Sequence, residues 1–110
     1  AIGITVNLSG ELPEQEELRR VMILAMRECL TNSVRHAGAT TIQIAVEQKG
    51  DSVSMQITND GKPPETEVVP KGGLLNLYRH IMGCGGTMEI QSKPGFALTV
   101  VLPAIQEGRE

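Results

Sequence analysis

Tryptophan is absent from this chain, and tyrosine and phenylalanine occur once each, as Tyr78 and Phe96. The aromatic platforms on which single-stranded nucleic acids stack their bases are therefore missing, and a core has to rest on Val, Ile, Leu and Met. Excess positive charge is missing too. Ten Lys and Arg stand against thirteen Asp and Glu, a net charge of -3, so no global field gathers nucleic acid or acidic lipid and any anion site has to be local. Cysteine is scarce: Cys29 and Cys84 lie 55 positions apart, with no CxxC and no His and Cys cluster at metal-ligand spacing, and both read as buried thiols of a reducing compartment. No apolar run approaches the roughly 20 residues that cross a bilayer, and the opening AIGITVNLSG lacks the charged and apolar regions of a secretion signal. The expectation is a soluble, cytoplasmic domain with no nucleic-acid partner and no membrane contact of its own.

What is present is enough for one core. The 110 residues are 40% hydrophobic and 21% charged, which fits residues 1–110 as a single globular domain. Ile2, Ile4, Val6 and Leu8 alternate, the period-two signature of a half-buried strand over 2–8. From Pro13 through His36 no glycine or further proline intervenes. Glu14 and Glu16 fall in the first turn, where the helix dipole favours them, and apolar residues recur as Leu18, Val21, Met22, Ala25 and Cys29. This predicts one long helix, ended by Gly38. Two alternating runs, 40–48 and 52–59, are joined by Lys49-Gly50-Asp51 like a hairpin. Residues 60–73 hold three Pro and three Gly and read as a long functional loop. A second helix fits Leu74 to Met82, and TMEIQS and FALTVVLP follow as strands with Pro94-Gly95 at their turn, Phe96 belonging to the core. The polar tail from Ala104 is expected to fray. The order strand, helix, strand, strand, loop, helix, strand, strand predicts an α+β fold, a two-layer sandwich with the helices on one face of the sheet.

Three polar motifs interrupt this pattern. At about 100° per residue, Glu28, Asn32, Arg35 and His36 share one face of the last turns of the first helix. A carboxylate, an amide oxygen and two potential cations there suit a hydrated Mg²⁺ and the phosphates it bridges; the same series also fits a solvated helix end. Asn59-Asp60-Gly61 follows directly on a strand, where the glycine permits a tight turn or a close approach of the backbone to a flat ligand. Lys71-Gly72-Gly73 precedes the second helix, where backbone N–H groups would face an anion, or simply ends the loop. The GK[ST] of a Walker A loop is absent.

In this order the motifs resemble the GHKL (Bergerat-fold) ATPase superfamily, and within it the catalytic ATP-binding domain of bacterial sensor histidine kinases of the nitrate-sensor-like group. RECLTNSVRHAGAT (27–40) is similar to the N box, NDGKP (59–63) to the G1 box and KGGLLNLYRHIMGCGGTMEI (71–90) to the G2 box with the helix and strand after it. The resemblance implies a mixed, mostly antiparallel sheet layered against helices, with ATP between the layers under the loop 62–72. It implies Asn32 as a Mg²⁺ ligand and Glu28 as the acidic residue beside it, acting on the metal or its water shell. It implies Arg35 and His36 near phosphate, Asn59, Asp60 and Gly61 around the adenine, and Lys71, Gly72, Gly73 and Leu74 at the phosphates. Three positions depart from the family: Asn59 stands where an Asp usually accepts the adenine amino group, Lys71 where a glycine is usual, and Phe96 where a Thr is usual. The activity implied is that of an ATP-dependent protein-histidine kinase whose acceptor histidine lies on an upstream dimerisation domain absent from these 110 residues, with a response regulator downstream. On that expectation the chain alone phosphorylates nothing. Two alternatives are a nucleotide-deficient protein-interaction module, suggested by Asn59 and Lys71, and an anti-sigma-factor serine kinase.

Overall fold

The computed structural model describes residues 4–33, 38–64, 68 and 70–104. Five strands, β1 (Thr5–Ser9), β2 (Thr41–Lys49), β3 (Ser52–Asn59), β4 (Thr87–Gln91) and β5 (Ala97–Pro103), form one sheet in the order β1-β2-β3-β5-β4. Only β1 and β2 are parallel; the other neighbours are antiparallel. Two helices, α1 (Glu16–Asn32) and α2 (Gly73–Gly83), complete the expected element order. A parallel neighbour needs a crossover connection, and α1 supplies it between β1 and β2.

Alternation decides which face of the sheet meets the helices. Ile42, Ile44 and Val46 of β2, Val53, Met55 and Ile57 of β3, and Leu98, Val100 and Leu102 of β5 are all buried, and the register places Ile44 beside Ile57 and Ile57 beside Leu98. Onto this face α1 lays Leu18, Val21, Met22, Ala25 and Cys29, as the periodicity predicts, and α2 lays Leu74, Leu77 and Ile81. Each fully buried side chain of this kind contributes about 1.5–3 kcal/mol relative to exposure. Phe96 packs half-buried against the same cluster.

Several boundaries differ from those the sequence suggests. Helix α1 starts at Glu16 rather than near Pro13, because Gln15 is extended with ψ of 125°, and Pro13 is instead buried ahead of it. At its other end α1 stops at Asn32; positions 34–37, into which the expected helix continues, lie outside the described residues. Strand β1 is exposed throughout rather than half-buried. Its apolar residues do face the helix side, since Val6 pairs with Ile42 and Leu8 with Ile44, yet β1 is one of the two edge strands and Val6 and Leu8 remain 46% and 49% exposed. Cys84 is only half-buried, unlike Cys29.

Candidate functional site

The polar motifs gather at one end of the sheet. In β3 the inward row Val53, Met55, Ile57 continues to Asn59, which pairs with Ile42 at the start of β2. Asn59 therefore turns toward the helix layer, where Ser33 caps the C-terminal end of α1, and its Nδ2 donates to Ser33 Oγ at 2.8 Å. Its Oδ1 accepts the N–H of Gly61, also at 2.8 Å, an Asx turn that bends the chain off the strand. Ser33 is 2% exposed and is the one buried polar residue among those described.

Asp60, the next residue, does something different. Its Oδ1 accepts the backbone N–H groups of Thr40 and Thr41, each at 2.9 Å, and its Oδ2 accepts the Thr40 hydroxyl at 2.8 Å. These donors, the Thr41 amide first, hold its carboxyl below the ordinary 3.8. Asp60 thus ties the end of β3 to the start of β2, a structural bond that the expectation of an adenine contact did not include.

Glu28 and Asn32 lie one turn apart on α1 and are both half-buried. The Glu28 carboxylate rests directly against Gly73, the first residue of α2: a Cβ there would collide with it. The two glycines at this helix start serve separate needs. Gly72 takes φ of 59° and ψ of -128° with open space around it, a backbone conformation that L side chains rarely adopt. Gly73 is needed for room. Together they let the N-terminus of α2 approach Glu28 near the C-terminal end of α1. Lys71 is exposed beside them, and its carbonyl accepts the N–H of Leu74 at 3.2 Å. The Leu74 side chain belongs to the core, so Leu74 has only backbone to offer a ligand. Arg35 and His36, the cationic half of the expected four-residue face, lie outside the described residues.

Below this end, burial pushes the Cys29 thiol up to about 12, with the Glu28 charge adding to the effect; Cys29 is a packing group and not a nucleophile. The Cys84 thiol is also raised, by burial and then by Glu17. Above it, the loop between β3 and α2 is tied down at Val68, whose N–H donates to Ser92 Oγ at 3.0 Å and whose side chain packs against the core. A hollow of about 270 Å³ bounded by Asp51, Gly86, Thr87 and Val101, among others, opens at the opposite end of the sheet and touches none of the residues expected to hold nucleotide or metal. Ser33, Thr40, Thr41 and Ser92 escaped the sequence reading. Asn59 and Asp60 carried a usable signal, because strand alternation sends the first inward and leaves the second to the neighbouring strand.

A family model described as "Histidine kinase-, DNA gyrase B-, and HSP90-like ATPase" matches residues 17–106. The chain is 30% identical over 95 residues to the sensor histidine kinase DesK of Bacillus subtilis (strain 168), covering 83% of this chain and 26% of DesK. It is 26% identical over 89 residues to the sensor histidine kinase YvfT of the same organism, covering 81% of this chain and 24% of YvfT. It thus spans about a quarter of the length of these relatives. Among solved structures, the ATP binding domain of PrrB from Mycobacterium tuberculosis superimposes with a TM-score of 0.69 at 24% identity, over 94% of this chain and 82% of that one. The histidine kinase domain of a blue-light activated histidine kinase from Erythrobacter litoralis gives 0.75 at 21% identity, over 92% of this chain and 52% of that one. At these identities the structural likeness is one of fold.

Proposed function

Because the chain belongs to the family of histidine kinase-, DNA gyrase B- and HSP90-like ATPases, we propose that it is the ATP-binding catalytic domain of a sensor histidine kinase, presenting the γ-phosphate of Mg·ATP to a histidine on a separate dimerisation domain. The observation that carries this reading is the contact of Glu28 with Gly73. It brings Glu28, near the C-terminal end of α1, against the glycine start of α2, at the end of the sheet where Asn59 and Gly61 leave β3. Phosphoryl transfer asks a protein chiefly for positioning and charge neutralisation; this junction offers the first, and Lys71, exposed beside it, a positive charge toward the second. The base lies against Asn59 and Gly61, while Asp60 is committed to Thr40 and Thr41. The phosphates lie at the backbone of Gly72, Gly73 and Leu74 beside Lys71, with Arg35 and His36 assigned to them by family resemblance.

Magnesium fits the residues present. Glu28 and Asn32 offer two hard oxygen donors a turn apart on α1. Mg²⁺ characteristically keeps several waters and takes one or two protein oxygens together with substrate phosphates, and when bound it neutralises phosphate charge. Among the described residues no helix is long and apolar enough to cross a membrane. The reading places the domain in the cytoplasm, where ATP and a response regulator are found.

Calorimetric titration of ATP with and without Mg²⁺ tests the proposal. The wild-type protein is expected to bind with Mg²⁺ dependence. Asn32→Ala is expected to lose that dependence while its stability stays within about 0.5 kcal/mol, as for substitutions away from the core. A comparable loss of stability would make Asn32 a structural residue. No binding by the wild type would favour a protein-interaction module, the reading that Asn59 and Lys71 in place of the family's Asp and Gly would then explain.

A further inference from the structure

The two edges of the sheet are built differently, although β1 and β4 are both strands of five residues. β4 carries the exposed Glu89 at its centre and is followed by Lys93 and Pro94, the charges and proline that ordinarily keep an edge from pairing with another chain. β1 has no charge and no proline, and it pairs with β2 residue for residue, without a bulge. Its backbone groups alternate in direction. The Thr5 N–H donates to the Thr40 carbonyl at 2.8 Å, so Thr5, Asn7 and Ser9 turn their N–H and C=O groups toward β2, while Val6 and Leu8 turn theirs to the open edge. These two are also the residues whose apolar side chains stay exposed on the helix side. Ile23 of α1 is exposed as well. It lies about 140° around the helix from Glu28, which meets α2, and so on the flank toward the β1 edge.

We infer that β1 pairs with the β1 of a second copy of this chain, antiparallel about a two-fold axis at Asn7, so that two sheets join into one. The outward groups dictate the register. In an antiparallel pair, two opposed residues exchange both backbone hydrogen bonds, so Val6 takes Leu8 of the second copy and Leu8 takes Val6 of the second copy, four bonds that use every outward group of the strand. Sliding the pair by two residues opposes Val6 or Leu8 to itself and leaves the other against Ile4 or Gly10, neither of them in the strand. Opposed residues point to the same side, so four apolar side chains gather on the helix side next to Ile23. On the other side Asn7 faces its own copy, amide to amide, and Thr5 faces Ser9 of the second copy. Each surface is its own complement, as a two-fold contact requires. Five residues a side are well short of the roughly 20–30 of a stable interface, so the association is weak, reversible and seen at high protein concentration.

Cysteine trapping under mild oxidation reads this register, in a Cys84→Ser background whose remaining native thiol, Cys29, is buried. Asn7, Thr5 and Ser9 occupy the non-hydrogen-bonded pairs, where opposed side chains come close enough for a disulfide. Asn7→Cys is expected to form a linked dimer at least about tenfold faster than Gln56→Cys, an exposed control on the central strand β3, because pairing raises the local thiol concentration. Thr5→Cys and Ser9→Cys are expected to link when mixed and to link much more slowly when each is alone. In sedimentation equilibrium the average mass of the wild type is expected to rise toward that of a dimer with concentration. Asn7→Lys, which opposes two like charges, is expected to stay monomeric; Asn7 is exposed, so the change does not reach the core. The inference is overturned by a wild type that stays monomeric at the highest concentration, by Asn7→Lys associating as the wild type does, by Asn7→Cys linking no faster than Gln56→Cys, or by Thr5→Cys linking as fast alone as with Ser9→Cys.

Discussion

At the scale of single residues, adjacent positions with similar chemistry carry unrelated tasks. Asp60 is held ionised by Thr41 and Thr40, and the sign of its effect follows: its carboxyl is lowered in the folded protein, so the unfolded chain takes up the proton first as pH falls. The stabilisation is complete above the ordinary value of 3.8 and is lost as pH drops from there through the lowered one. Asp60→Asn is therefore expected to unfold at a lower temperature than the wild type at pH 7, and the gap is expected to close below pH 3.8; melting curves across that range check it, and a constant gap would mean that charge is not involved. Gly73 gives a contrasting prediction. A methyl group there meets the far end of a flexible side chain, so Glu28 can rotate away and Gly73→Ala is expected to change stability by no more than about 1 kcal/mol. Nucleotide affinity is expected to fall at least about tenfold, because the helix start and the acidic residue no longer meet. Equal binding by the variant and the wild type would show that the contact is incidental. From sequence, the glycine pair announces only a loop next to a helix; that one glycine serves backbone conformation and the other serves room depends on a side chain 45 positions away.

At the scale of elements, periodicity made most of the chain legible. The inward positions of α1 were readable because a 3.6-residue stripe has only one way to meet a sheet, and β3 kept its boundaries because alternation ends where Asn59 and Asp60 begin. Exposure of β1 was not readable, since alternation reports which side a residue faces and not whether a helix reaches over it. The loop from Lys62 to Gly72 has three prolines, two glutamates and only Val68 and Val69 as sizeable apolar side chains, a composition that predicts mobility without ligand. Val69 lies outside the described residues. Val68 does pack against the core, and it gains a hydrogen bond from its N–H to Ser92 that composition could not show. Ser92→Ala removes the acceptor. Losing a bond worth about 1 kcal/mol is expected to speed amide exchange at Val68 about fivefold, with exchange in the β2–β3 hairpin unchanged as the internal control. Identical exchange at Val68 in both proteins would show that side-chain packing alone holds the loop.

At the scale of the whole molecule, the fold class was legible from the element order, but the sheet order was not, because inserting β5 between β3 and β4 is a choice among non-local pairings that local pattern does not encode. The net charge of -3 provides no global field for anions, so the attraction for the phosphates proposed above rests on local groups at one end of the sheet. The chain contains two histidines, His36 in the stretch that resembles the N box and His80, which is exposed on α2. If the acceptor lies on a dimerisation domain, incubation with labelled ATP is expected to leave this chain without acid-labile phosphate. Adding the dimerisation domain of the parent kinase in trans is expected to label that partner, slowly, because no tether raises the local concentration. Glu28→Gln then separates two roles: a carboxylate that organises the metal's water shell lowers nucleotide binding and transfer together, whereas one that moves a proton slows transfer with binding intact. A histidine nucleophile attacks through a neutral nitrogen and needs no strong base, and the Glu28 carboxylate rests against Gly73 where the phosphates are proposed to lie, so the joint loss is the expected outcome. Robust labelling of this chain alone, abolished by His80→Gln, would place the acceptor on α2 and overturn the assignment of the domain.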